Sequence, residues 1–222
     1  MQSLLIVGTG GHAKTVLDCA RQQGYTNIAF LTKEAETTFC GCPCFQDDGI
    51  MLQRLRASYA ACFVAIGDNY KRESICMEAS SLGYMFPVII HPMACVSPSA
   101  EIGEGTLIAP MAVVNADAII GRFCILNTAS VLEHGCRIGD AVHLSPRAAV
   151  CGGVKISNHA WICAGAVVSN GVSIGANSII AAGAAVVSDI PSNVMAAGVP
   201  SVIKKHIAPA LAGKSNQWEE PK

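Results

Sequence analysis

From Val96 to Val186 every sixth residue is isoleucine, leucine or valine: Val96, Ile102, Ile108, Val114, Ile120, Leu126, Leu132, Ile138, Leu144, Val150, Ile156, Ile162, Val168, Ile174, Ile180 and Val186. The series has sixteen members and no insertion. Four residues after each one stands a small or β-branched side chain, as at Ala100, Thr106, Ala112, Ala118, Cys124 and Ser130. A strand face recurs every second residue and a helix face about every 3.6, so neither yields a strict period of six. A chain that turns a corner every six residues does, with the aliphatic inward and the small residue in the bend. This is the hexapeptide signature of a parallel β-helix, in which three hexapeptides close a triangular coil and sixteen units make about five coils. Gly103, Gly105, Gly121, Gly139, Gly165, Gly171 and Gly175 are expected at the corners, where a positive φ is needed.

Charge thins out along this repeat. Ten charged residues fall between His91 and Ile203, against fifteen in the first ninety residues. Prism faces so poor in charge are expected to meet partners, which points to a homo-oligomer packed along its sides. A chain 51% hydrophobic and 14% charged is not disordered. The net charge of −1 gives no electrostatic reason to bind nucleic acid or an anionic membrane. No run of eighteen apolar residues occurs, because Pro87, His91 and Pro92 interrupt the richest stretch, so membrane insertion is not expected. The first residues lack the basic and long apolar regions of a signal peptide, and a cytoplasmic location follows. Eleven cysteines, odd in number and scattered, read as reduced thiols. The cluster Cys40, Cys42 and Cys44 could hold a soft metal, but it lacks the second pair of a zinc site, and no metal is expected.

The first ninety residues alternate strand and helix, which predicts a parallel sheet flanked by helices. Strands are expected at Leu4–Val7, Asn27–Leu31, Ala61–Ile66 and Phe86–Ile90. Helices are expected after Gly11, after Asp47 or Asp48 as cap, and after Asn69. The loop Gly8-Thr9-Gly10-Gly11-His12-Ala13 satisfies the dinucleotide fingerprint between a strand and a helix. Its glycines let backbone N–H groups approach a phosphate at a helix N-terminus. The second strand ends in Thr32-Lys33 and not in the acid that would hold an adenosine ribose, and ninety residues hold only half of a doubly wound fold. A mononucleotide diphosphate fits better than a dinucleotide.

A half-Rossmann domain (1–90) feeding into an all-β left-handed parallel β-helix (91–203), with a tail (204–222) loosely ordered from Ala208 onward, resembles one family. It is similar to the bacterial nucleotide-sugar N-acetyltransferases and the related sialic acid O-acetyltransferases. The segments that carry the resemblance are Ile6 to Lys14, Ala65 to Asn69, His91-Pro92, Leu126 to His134, Val142 to Pro146 and Ala197 to Ser201. The resemblance implies a homotrimer that uses acetyl-CoA as co-substrate. It implies transfer of the acetyl group to the 4-amino group of a nucleotide-linked sugar in bacterial glycan biosynthesis, UDP ranking ahead of GDP. O-acetylation of a sugar or sialic acid is the alternative, and a non-catalytic nucleotide-sugar-binding solenoid a further one.

Carried over residue by residue, the resemblance places the general base on His134. Substrate contacts fall on Gly10, Gly11, His12, Thr32, Lys33, Gly67 and Asn127, and acetyl-CoA contacts on His143, Ala164 and Ala182, the alanines through their backbone. Gly135 stands where the family usually has Asp or Glu after the base, and Thr32 where an acid often sits. Read without the resemblance, His134 is conspicuous among aliphatic and small residues, and imidazole is the commonest general base, although a structural histidine is the plainer alternative. His134 and His143 lie half a coil apart, on different sides of the prism, and can share a site only across a subunit boundary. His159 carries no family role and reads as a surface or interface histidine.

Overall fold

The computed structural model describes residues 2–208. All of the tail expected to be loosely ordered, except Ala208, lies outside them. The N-terminal part runs β1 (Gln2–Val7), α1 (Gly11–Gln22), β2 (Tyr25–Thr32), β3 (Thr38–Phe39), β4 (Cys42–Gln46), α2 (Met51–Leu55), β5 (Ala61–Val64) and α3 (Asn69–Ser81). Its sheet has the order β3-β4-β2-β1-β5, with β1 parallel to both β2 and β5. Leu4, Leu5 and Ile6 are fully buried because helices cover both faces of the central strand, as a parallel sheet requires. The chain reverses direction of winding between β1 and β5, and the loops after these two strands open at the carboxyl edge of the sheet. That edge is where open α/β sheets hold ligands.

Two local expectations, the cap of α2 and the fourth strand, differ from the structure. The Cys40–Cys44 cluster is a hairpin: Cys40 and Gly41 both take positive φ, the conformation of a two-residue turn, and β3 pairs antiparallel with β4. Cys42 and Cys44 then alternate inward with exposed Pro43 between them, so they are strand-face thiols. Asp47 and Asp48 do not cap α2. They accept from the backbone of Gly49 and Ile50 and shape the turn ahead of it. The expected fourth strand shrinks to Ile89–Ile90 and leaves the N-terminal sheet to pair with Leu107–Ile108 of the solenoid. Pro87 has no N–H to offer a ladder, which accounts for the early break.

The solenoid is a left-handed parallel β-helix. Its two-residue strands stack eighteen residues apart, Val113–Val114 on Val131–Leu132 on Ala149–Val150, and so around three faces. The aliphatic series and the small residue four positions on both point inward and form one continuous core, from Ile108 to Val194 and Ala196. At every corner from residue 105 to residue 183 the third residue after the aliphatic has positive φ, whether it is Gly105 or Gly183 or a side chain as large as Met111, Phe123 or Arg147. Gly103, Gly121, Gly139 and Gly175 serve a different purpose from the one expected. Their φ is not positive. Instead, a β-carbon on Gly103 would come within 2.5 Å of the Gly121 backbone, and one on Gly121 equally close to Gly139. They let successive coils stack.

The residue before each aliphatic points outward and distinguishes the three faces. One face carries Glu101, Arg137 and Lys155 to solvent, and a second presents Val113, Val131 and Val167. The third carries Ile89, Leu107, Ile125, His143, Trp161 and Ile179 in one column. The N-terminal domain sits on the upper part of this column. Leu107 and Ile125 are buried in one cluster with Leu4, Ile6, Ala13 and Phe30. His143 is the first residue of the column beyond that cluster. No helix among the described residues is long and apolar enough to cross a membrane.

Candidate active site

Gly8 follows β1 with φ +105°, and a β-carbon there would press on Ile66 and on the Ala65 carbonyl. The loops after β1 and β5 can therefore approach closely only because residue 8 is glycine. Gly10 is the N-cap of α1 and has no side chain to occupy the orphan N–H groups of the first turn. A β-carbon on Gly10 or Gly11 would meet no protein atom within 4 Å, so both face open space. Around this loop lies a cavity of about 680 Å³ whose walls include Gly10, Gly11, His12, Thr32, Lys33 and Gly67. These six expected substrate residues come together. Thr32 is turned to Thr9, the two hydroxyls 3.0 Å apart, and closes the end of β2 without a charge. Lys71 and Ser74 of α3, Asp47 after β4, Glu34 and Ile66 also stand in the walls.

His12 lines the cavity. Burial, and after it the nearby Arg72 guanidinium, lowers His12 from 6.5 to about 4. Burial, Arg72 and His12 in turn hold His143 well below the ordinary histidine value, with the Gly67 backbone working the other way. Both rings are thus neutral at neutral pH, and each keeps a buried nitrogen without a partner, Nε2 of His12 and Nδ1 of His143. Asn127 does not line the cavity; its amide stands 3.4 Å from His143 Nε2. Trp161 stacks parallel below His143 at 5.9 Å, and its indole N–H donates to Ser145.

Ala164 and Ala182 are exposed on the prism edge that follows the His143 face, one coil apart, with the Gly183 N–H donating to the Ala164 carbonyl. His134 is exposed on the edge between the other two faces. Within one chain His134 and His143 therefore point apart. The carboxylate of Glu133 accepts from the His134 backbone N–H at 3.4 Å.

The amino-terminal residues 3–79 match the PglD N-terminal domain. Over 112 residues the chain is 39% identical to the UDP-N-acetylbacillosamine N-acetyltransferase of Bacillus subtilis (strain 168); the match covers 49% of this chain and 51% of that protein, so the chain spans about half the length of this curated relative. The structure superposes on a point mutant of perosamine N-acetyltransferase from Caulobacter crescentus, crystallised with CoA and GDP-perosamine, with a TM-score of 0.89 and 40% identity over 92% of this chain and 98% of that one. It also superposes on the acetyltransferase domain of PglB from Neisseria gonorrhoeae FA1090, crystallised with acetyl coenzyme A, with a TM-score of 0.88 and 35% identity over 91% and 99%. The chain belongs to the nucleotide-sugar N-acetyltransferase family.

In this acetyltransferase chain two residues of the site carry no motif that marks them in the sequence. Gly152, eighteen residues after His134, lies under its imidazole. Arg72 is buried between the two parts of the chain and joins Asn69, whose amide donates to the His159 and Ala160 carbonyls. The one signal for Arg72 is its place in α3: Asn69, Arg72, Cys76 and Ala79 form one buried face, and an arginine there needs acceptors from elsewhere. His159 proves to lie at this same boundary, 2.7 Å from Glu73 and stacked on Tyr70. Among the described residues no group of three or more His, Cys, Asp or Glu side chains could hold a metal ion.

Proposed function

We propose that this acetyltransferase moves the acetyl group of acetyl-CoA to the 4-amino group of a sugar linked to a nucleoside diphosphate, and that it works as a homotrimer in the cytoplasm. The observation that carries this reading is the nucleotide-sized cavity around the glycine loop, whose wall at Ile66 and Gly67 is tied through Arg72 to the Phe123 and Ala141 carbonyls of the solenoid. A nucleotide seated on the glycine loop would direct its sugar toward the solenoid.

In this reading Gly10, Gly11 and Gly67 bind the diphosphate through backbone N–H groups, with Lys33 as a counter-charge. His143 and the backbones of Ala164 and Ala182 hold acetyl-CoA along the adjoining edge. His134 of a neighbouring chain completes the site. Its unprotonated ring takes a proton from the sugar nitrogen as that nitrogen attacks the thioester carbonyl. The C–S bond breaks, an amide forms, and CoA leaves as the thiol. The thioester is already activated, so positioning and one base suffice, the base contributing roughly 10²–10⁴-fold. The names of the relatives include both a UDP-linked and a GDP-linked sugar.

The test is thiol release from acetyl-CoA with UDP- and GDP-linked 4-amino sugars and with their 4-hydroxy counterparts. Release with an amino sugar and none with the hydroxy sugars is expected. Release with hydroxy sugars alone would transfer the reading to O-acetylation, and no release with any would refute acetyl transfer. Light scattering should return a trimer.

A further inference from the structure

Arg72 is 1% exposed, yet among the described residues no carboxylate makes an ion pair with it. A buried guanidinium without a counter-charge is unfavourable unless every donor is used. Here five neutral oxygens meet it. Nε donates to the Phe123 carbonyl at 2.7 Å and Nη2 to the Ala141 carbonyl at 3.1 Å and to Asn69 Oδ1 at 2.8 Å. Nη1 donates to the carbonyls of Ile66 at 3.0 Å and Gly67 at 3.1 Å. Phe123 and Ala141 stand on successive coils of the solenoid, so one side chain ties the loop after β5 to two rungs of the prism.

The two consecutive carbonyls on Nη1 have a geometric consequence. The peptide bonds that follow Ile66 and Gly67 are trans, the chain's cis bond being Val199–Pro200. In a trans peptide the N–H points opposite to the C=O. With both carbonyls held toward Arg72, the N–H groups of Gly67 and Asp68 point away from it. Arg72 is not in the cavity wall, whereas Ile66 and Gly67 are. Neither N–H finds an acceptor among the described residues. A β-carbon on Gly67 would meet nothing within 4 Å, so the far side of this loop is open. Consecutive N–H groups turned the same way form a concavity for an anion.

We propose that Arg72 is a positioning residue for the diphosphate: by holding the Ile66 and Gly67 carbonyls it aims the Gly67 and Asp68 N–H groups across the cavity, opposite the first turn of α1. This rests on the nucleotide-sugar reading and adds a second half to its phosphate cradle. The anchor to the solenoid fixes that half relative to His143, so the diphosphate and the reacting face keep one spacing.

Arg72→Lys tests it, because lysine keeps the charge and loses the planar fork. UDP, GDP, uridine, guanosine and CoA are titrated into wild-type protein and the variant. The variant should bind the nucleoside diphosphate about tenfold more weakly or worse, as expected for losing charge-assisted hydrogen bonds, while nucleoside and CoA affinities stay within about twofold. Unchanged diphosphate affinity, or equal losses for diphosphate and nucleoside, would overturn the proposal. For a variant that does not fold, hydrogen exchange of the wild-type protein decides. Bound UDP or GDP should slow exchange at Gly67 and Asp68; binding that leaves both amides unprotected overturns the positioning role and spares the nucleotide-sugar reading. If the wild-type protein binds neither diphosphate, that reading falls and the proposal with it.

Discussion

A β-carbon on Gly152 would lie 2.7 Å from both Cε1 and Nε2 of His134, so the imidazole rests on bare backbone one coil further along the prism. The ring is the movable partner in that contact and the coil is not. Gly152→Ala should therefore leave the fold intact and displace the imidazole. A displacement of about an ångström at a reacting group costs on the order of 10²-fold in rate. Steady-state kinetics should show kcat falling by about that factor, with the KM for acetyl-CoA and the melting temperature nearly unchanged. A variant with the wild-type kcat would show that the contact does not orient the base.

Gly10 offers a separation of ligand effects from folding effects. Because a β-carbon there meets no protein atom within 4 Å and the backbone is extended, Gly10→Val should fold normally. The valine would stand where a diphosphate approaches the first turn of α1. Calorimetry should give nucleotide-sugar affinity reduced by about tenfold or more, roughly the loss of one charge-assisted hydrogen bond, and unchanged affinity for acetyl-CoA. Equal affinity for the nucleotide sugar would remove the glycine loop from the site.

The two neutral histidines make stability depend on pH in a stated direction. His12 has a folded value of about 4 against the ordinary 6.5, and His143 also lies well below that value. Between these limits the unfolded chain binds protons that the folded chain refuses. Stability should thus be fully present above about pH 6.5 and decline as the pH falls toward 4, by up to about 3 kcal/mol for His12. Urea midpoints at pH 7.5 and pH 5 should differ more for the wild type than for His12→Gln. Identical pH dependence in the two proteins would contradict the assignment.

The glycine stack of the solenoid yields a stability prediction free of catalysis. A methyl group on Gly121 would meet the Gly139 backbone at 2.5 Å, and backbone cannot swing aside. Gly121→Ala should cost about 1–3 kcal/mol, the usual range for overpacking, read as a lower denaturation midpoint. A midpoint equal to the wild type would show that the coils can separate at no cost.

Much of this architecture is legible in the sequence because its physical cause is local or strictly periodic. The series from Val96 to Val186 specifies one inward residue per turn of the chain, and the glycine loop after β1 needs only a strand before it and a helix after it. The period also places the glycines at 103, 121 and 139 one coil apart, although their reason is contact between coils and not φ. Arg72 is hidden because its acceptors at Phe123 and Ala141 lie 51 and 69 residues away and meet it only once the N-terminal domain is seated on the solenoid. Ile89–Ile90 joins a different sheet from the one expected for a similar reason: a short apolar strand beside Pro87 carries no mark of which edge it will join. The column from Ile89 through Leu107 and Ile125 to His143 and Trp161 is visible at a spacing of eighteen. Its apolar upper half, followed by a histidine and a tryptophan, marks where the covering domain ends.

The central claim is that His134 of one chain serves the nucleotide cavity and His143 of another. Co-expression of His134→Ala and Gly10→Val chains at equal levels tests it most directly. Assayed with nucleotide sugar well below its KM, each variant alone should work at about a tenth of the wild-type rate or less. In randomly mixed trimers a site is intact when a Gly10→Val chain supplies His134 to the cavity of a His134→Ala chain, which is about a quarter of all sites. Recovery of acetyl transfer to about a quarter of the wild-type rate is the predicted result. No recovery in mixed trimers that are shown to form would contradict the shared site.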